Sequence, residues 1–171
     1  MSKRALKKYL SELTQEQIAE QLLELYEKFS EVKTYYDFVF NPNEEKLIRE
    51  AKLKITNEYF PMKSKRAKLR RSVAQKQIKH FLVLGVDSFA VADVMLHNIE
   101  TALRYSAKRE MRYASFYKSI LTSFEQVVKF AIEKGMVKDL NPRFAKIYDE
   151  IKLQRWDTVN EFGNIIDSIA T

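Results

Sequence analysis

The chain contains no cysteine. Disulfides, thiolate zinc sites, iron–sulfur clusters and cysteine nucleophiles are therefore excluded. Glycine and proline are nearly as scarce, with three of each in 171 residues. All-β folds need many turns, and turns draw on these two residues, so the shortage predicts long helices. The glycines, Gly85, Gly135 and Gly163, are scattered singly, which leaves no glycine-rich phosphate loop. Long apolar runs are missing as well. The longest is FLVLGV at 81–86, whereas a membrane span needs about 20 such residues. The basic start, MSKRALKKYL, is not followed by the apolar stretch of a signal peptide. A soluble cytoplasmic protein with no membrane association is expected.

Negative charge is absent from one long interval. No Asp or Glu lies between Glu58 and Asp87, and that interval holds Lys63, Lys65, Arg66, Lys68, Arg70, Arg71, Lys76 and Lys79. These eight of the 30 basic residues leave 22 elsewhere against all 23 acidic ones, so they account for the whole net charge of +7. Crowded like charges repel, and phosphates are the natural counterpart, because Lys and Arg neutralise them and release counterions. Arginine can grip phosphate in a bidentate fashion, which Arg66, Arg70 and Arg71 would supply. The plain alternative is a solvated loop. No aromatic residue interleaves 62–71, so base stacking is not expected there.

What is abundant is helical patterning. Hydrophobic residues make up 46% of the chain, and twenty-one of its residues are Phe, Tyr or Trp. A first helix is predicted over 3–13. Thr14 with Gln17 has capping-box spacing, and Ile18, Leu22, Leu25, Tyr26 and Phe29 follow at helical offsets. Residues 32–40 mix β-branched and aromatic side chains and read as a short helix or an extended, buried connector. Asn43 is placed to cap a helix that stops before Pro61. Residues 62–71 form a basic loop, after which Ser72 is placed to cap a helix closed by Gly85. Its buried face is expected to carry Ala74, Ile78, Phe81 and Leu82. A central helix starts at Asp87 or Ser88, and its first half is apolar nearly all round. Helices over 113–134 and from Asn141-Pro142 onward follow, with proline at the first helical position of the latter. The last helix carries Val159, Phe162, Ile165, Ile166 and Ile169. Trp156 and the run 34–40 read as core. The expectation is a single all-α domain over 1–171, a compact bundle of seven or eight helices, with a short helical-repeat array as the alternative.

One polar stripe breaks the apolar pattern of the central helix. Asp93, His97, Glu100 and Arg104 are spaced i, i+4, i+7 and i+11. Carboxylates and histidine at helical spacing are what bundle-core metal sites use. The simpler reading is a surface stripe of i,i+4 pairs such as Glu100 with Arg104. A metal site needs ligands on a facing helix, and the long helix over 113–134 offers only Glu125 and Glu133. No metal, cofactor or catalytic residue is therefore assigned. His80, beside the lysines of the basic helix, can add a pH-dependent charge or be a plain surface histidine.

The stretches SKRALKKYLSEL, LYEKFSEVKTYYDFVFNP, EAKLKITNEYFP and RRSVAQKQIKHFLVLGVD resemble a family of small bacterial proteins of unknown function. The resemblance runs over most of the chain and is strongest from Ser2 to about Asp87. It implies a bacterial cytoplasmic protein and transfers no catalytic residue. The functional expectation is thus a non-enzymatic module that docks nucleic acid or another phosphate-bearing polyanion on the basic segment from Lys63 to Lys79. Two alternatives stand beside it: an adaptor that binds a protein partner through an exposed helical surface, and a metal-dependent enzyme using Asp93, His97 and Glu100.

Overall fold

The computed structural model describes residues 2–63, 66–109 and 111–169, and all its regular elements are helices. The chain forms two compact units, Met1–Asn43 and Glu44–Thr171. No helix among the described residues is long and apolar enough to cross a membrane.

The first unit holds α1 (Lys3–Ser11), α2 (Gln15–Lys28) and α3 (Ser30–Phe40). Local signals set its boundaries. Ser2 accepts from the Ala5 amide at the start of α1. The expected capping box closes at α2, where the Thr14 hydroxyl accepts from the Gln17 amide and the Gln17 side chain accepts from the Thr14 amide. Phe29, extended at φ −121° and ψ 116°, separates α2 from α3. Residues 32–40 are helical and not buried, so the buried-connector alternative fails, and the run 34–40 is not core. With no strand to pair with among the described residues, β propensity gives way to i→i−4 bonding. The Tyr26 hydroxyl donates to Asp37 Oδ1 at 2.9 Å and ties α2 to α3. None of the three helices has a buried residue, and Leu23 and Phe40 are 65% and 75% exposed.

The second unit is built around α6 (Ser88–Ser106), eleven of whose 19 residues are buried. Around it pack α4 (Glu44–Tyr59), α5 (Arg71–Leu84), α7 (Ala114–Glu133) and α8 (Val137–Leu153), and α9 (Val159–Ile169) covers α7 and α8. The expected central helix is thus found, with Asp87 as its cap accepting from the Phe89 and Ala90 amides. Phe124 is the hub of an aromatic cluster, with ring centroids 5.7 Å from Phe144 and 5.1 Å from Phe162. Trp156 joins the cluster through Phe162 and is core, as expected. Each such ring contributes roughly 1.5–3 kcal/mol on full burial.

Nine helices are present among the described residues, so the expected count of seven or eight is too low; residues 32–40 supply the difference. Leu82, expected to be buried, is 51% exposed. The predicted start of α8 at Asn141-Pro142 is also corrected. Gly135 takes φ 68°, and the Met136 amide donates back to the Ala131 carbonyl at 2.8 Å. That closure buries Met136 and lets α8 begin directly at Val137, with Pro142 inside it at the loss of one i→i−4 bond. Gly85, at φ 74°, ends α5 in the same way, with the Val86 amide on the Phe81 carbonyl.

Candidate anion-binding sites

The acid-free interval is organised by the acid at its edge. Glu58, in the last turn of α4, is only 8% exposed. Its main-chain carbonyl accepts from the amides of Lys68 and Leu69 at 3.0 and 3.1 Å, and Leu69 lies in the left-handed region at φ 55°. Its carboxylate accepts from the Arg70 amide at 3.2 Å and from the Arg70 guanidinium at 2.9 and 2.7 Å. A buried carboxylate left unpaired is strongly unfavourable, so this pairing is what lets Glu58 lie inside. The hydrogen bonds from Arg70 hold the carboxyl below its ordinary range, against the opposing effect of burial. They also explain why Ser72 does not cap α5. The helix starts at Arg71 and has no side-chain cap, because Glu58 holds its entry.

Arg71 reaches α7 instead, donating from Nε to Ser123 Oγ at 3.0 Å and from Nη2 to Gln126 Oε1 at 2.8 Å. Arg70 and Arg71 therefore serve the scaffold. Lys63, Lys68, Lys76 and Lys79 are exposed and make no ion pair among the described residues. Arg66 is exposed as well, as is His80 on α5, and Lys65 lies outside the described residues.

The stripe on α6 faces α4 and α8 rather than Glu125 and Glu133 of α7. Arg143 of α8 donates from Nη1 to Asp93 Oδ1 and from Nε to Glu100 Oε1, both at 2.9 Å. Lys52 of α4 takes the other oxygen of Asp93. The expected Glu100–Arg104 pair is not among the ion pairs; Arg104 donates to Thr101 at 3.0 Å instead. Burial raises the pKa of Asp93, but the hydrogen bonds from Lys52 and Arg143 outweigh it and hold the carboxyl below its ordinary value. His97 Nε2 lies 2.9 Å from the Thr56 hydroxyl. Burial, helped by the Lys52 charge, pushes the pKa of His97 down and keeps the ring neutral near pH 7. The carboxylates of Asp93 and Glu100 are thus taken up by cations, and no group of three or more His, Asp or Glu side chains among the described residues can hold a metal ion.

Beyond the stripe, α4, α6 and α8 enclose an open cleft of about 840 Å³. Arg104 and Lys108 line one wall, and Arg143, Lys146 and Glu150 the other; Phe60 supplies apolar surface between them, over a floor of the buried Leu103 and Ile147. The sequence pattern of a family of unknown function, DUF6155, spans residues 1–170. The chain belongs to DUF6155. No curated protein and no solved structure matches it.

The family match agrees with the resemblance read in the sequence, and like that resemblance it assigns no residue a role. In this DUF6155 chain, sequence reasoning missed the partners more than the stripes. Lys52 and Thr56 are four apart on α4, and Arg143, Lys146 and Glu150 share one face of α8. A polar stripe on a helix predicts a facing stripe on another, and those two were available. Gln154 gave no such signal, yet its side chain accepts from Ser106 and Trp156 and donates to the Leu103 carbonyl and to Glu150.

Proposed function

We propose that the chain is a non-enzymatic binding domain that docks a phosphate-bearing polyanion, such as nucleic acid, on the basic segment. One observation carries the reading: Glu58 holds the chain at Lys68–Arg70, while Lys63, Lys76 and Lys79 make no ion pair with a carboxylate among the described residues. A loop held at Lys68–Arg70 displays its charges with less entropy to lose on binding than a free one would. Arg70 and Arg71 support the surface rather than form it.

The test is a mobility-shift titration of the full chain against RNA and DNA at several salt concentrations. Four phosphate contacts on duplex DNA predict roughly a hundredfold loss of affinity over a fourfold rise in salt. The combined variant Lys63→Glu, Lys76→Glu, Lys79→Glu is expected to lose binding while keeping its thermal midpoint, since none of the three supports the fold; Lys68 is kept because its charge acts on the buried Glu58. Binding indifferent to salt, or retained by the variant, would overturn the reading. It would favour the adaptor alternative, which is supported by the exposed Leu23, Phe29, Val39 and Phe40 of the first unit.

A further inference from the structure

We infer that the cleft between α4, α6 and α8 binds a small amphipathic anion, one phosphate or carboxylate head on a short apolar body. The site is separate from the lysines of the basic segment, and the two proposals stand or fall independently.

Charge is the first argument. Four cations and two carboxylates line the cleft. Arg143 is already bound by Asp93 and Glu100, and Glu150 accepts from Gln154 at 2.8 Å. A neutral amide does not cancel the Glu150 charge, so what is left over is three cations, Arg104, Lys108 and Lys146, against one carboxylate; none of the three has an ion pair among the described residues, and Arg104 donates to the Thr101 hydroxyl. Arg104 and Lys108 are four residues apart and project from the same side of α6 and its C-terminal extension. Cations there also favour the negative end of the helix dipole. Lys146 lies mid-way along α8, where that effect does not act. Positive charge on both walls repels itself across the opening, and a bound anion removes the repulsion.

Shape and wall chemistry give the second argument. A volume of about 840 Å³ falls within the roughly 300–1,000 Å³ of small-molecule clefts. Its accessible apolar surface comes chiefly from Phe60, 37% exposed, while Leu103 and Ile147 form a buried floor at 3% and 2%. A bare inorganic ion would leave the Phe60 ring in water, and a purely apolar ligand would leave the excess of cations over Glu150 unanswered. An anionic head with an apolar body satisfies both. His97 lines the cleft with its ring held by Thr56, which makes it a fixed reporter.

The experiment uses the two histidines of the chain. His97 lines the cleft, and His80 is exposed on α5 and does not. The Hε1 resonances of the full chain are followed at fixed pH during titration with hexyl phosphate, hexanoate, hexanol and inorganic phosphate. A saturable shift of His97 with hexyl phosphate or hexanoate, with His80 unmoved, is expected. Hexanol and inorganic phosphate should each bind at least about tenfold more weakly, which is about 1.4 kcal/mol. Arg104→Gln should weaken the anion by about tenfold or more and leave hexanol unchanged. Should Arg104→Gln disturb the fold, Lys108→Gln, at an exposed position beyond the end of α6, serves in its place; Lys129→Gln, exposed on α7 and outside both the cleft and the basic segment, is the control and should change nothing. No saturable His97 shift with either anion at millimolar concentration, equal binding of hexanol, or full retention of affinity in both cleft variants would overturn the inference.

Discussion

Arg155 sits where α5 and α7 have glycine. It takes φ 55°, and the Trp156 amide after it donates to the Ile151 carbonyl at 3.3 Å, the same closure that Gly85 and Gly135 make. A side chain in the left-handed region costs roughly 1–2 kcal/mol, because Cβ crowds the following carbonyl oxygen. Glycine there has its own entropic penalty of roughly 0.5–1 kcal/mol. Arg155→Gly is therefore expected to stabilise the chain by about 0.5–1 kcal/mol, seen as a higher urea midpoint at unchanged m-value. A lower midpoint would mean that the arginine side chain makes an overriding contribution. The two glycine closures were legible in the sequence. The third was not, because burial of Trp156 and the bonds of Gln154 to α6 hold that turn, and neither leaves a mark on residue 155.

Between elements, α9 rests on α8 at Gly163. A Cβ placed there would lie 2.8 Å from the Tyr148 hydroxyl oxygen and 3.4 Å from the ring carbon bearing it. Gly163→Ala improves helix propensity, but it must displace that hydroxyl. Tyr148→Phe removes the obstructing atom and keeps the ring over which Lys152 lies. In a double-mutant cycle, Gly163→Ala should be better tolerated in the Tyr148→Phe background by about 0.5–1 kcal/mol. Additive effects, measured by thermal or urea unfolding, would show that α9 shifts freely. The predicted start of α8 failed for a reason of the same kind. Asn141-Pro142 is a strong local start signal, yet burial of Met136 makes the chain re-enter a helix at once.

Across the whole molecule, three perturbed groups push acid sensitivity in one direction. His97 has its pKa lowered from 6.5, so folding disfavours its proton. The resulting loss of stability is absent above pH 6.5 and grows as pH falls below it. Glu58 and Asp93 are lowered from 4.5 and 3.8, so the stability they contribute is complete above those values and is lost as pH falls through the folded pKa of each. Stability should decline gently below pH 6.5 and steeply below 4.5. His97→Gln should flatten the first phase and Glu58→Gln should reduce the second, read as urea midpoints across pH. A first phase of the same slope in His97→Gln would assign it to other groups.

Helix type, the capping box at Thr14, the stops at Gly85 and Gly135 and the central place of α6 are determined by the sequence alone. Each depends on atoms within about five residues or on the apolar content of one helix. Tertiary structure alone decided which side chain each arginine meets. Arg70 reaches Glu58 across 12 residues, Arg71 reaches Gln126 across 55, and Arg143 reaches Asp93 across 50. An ion pair forms where packing brings two helix faces together, so a charge run read along the chain does not separate the arginines that hold the scaffold from the lysines left to the solvent.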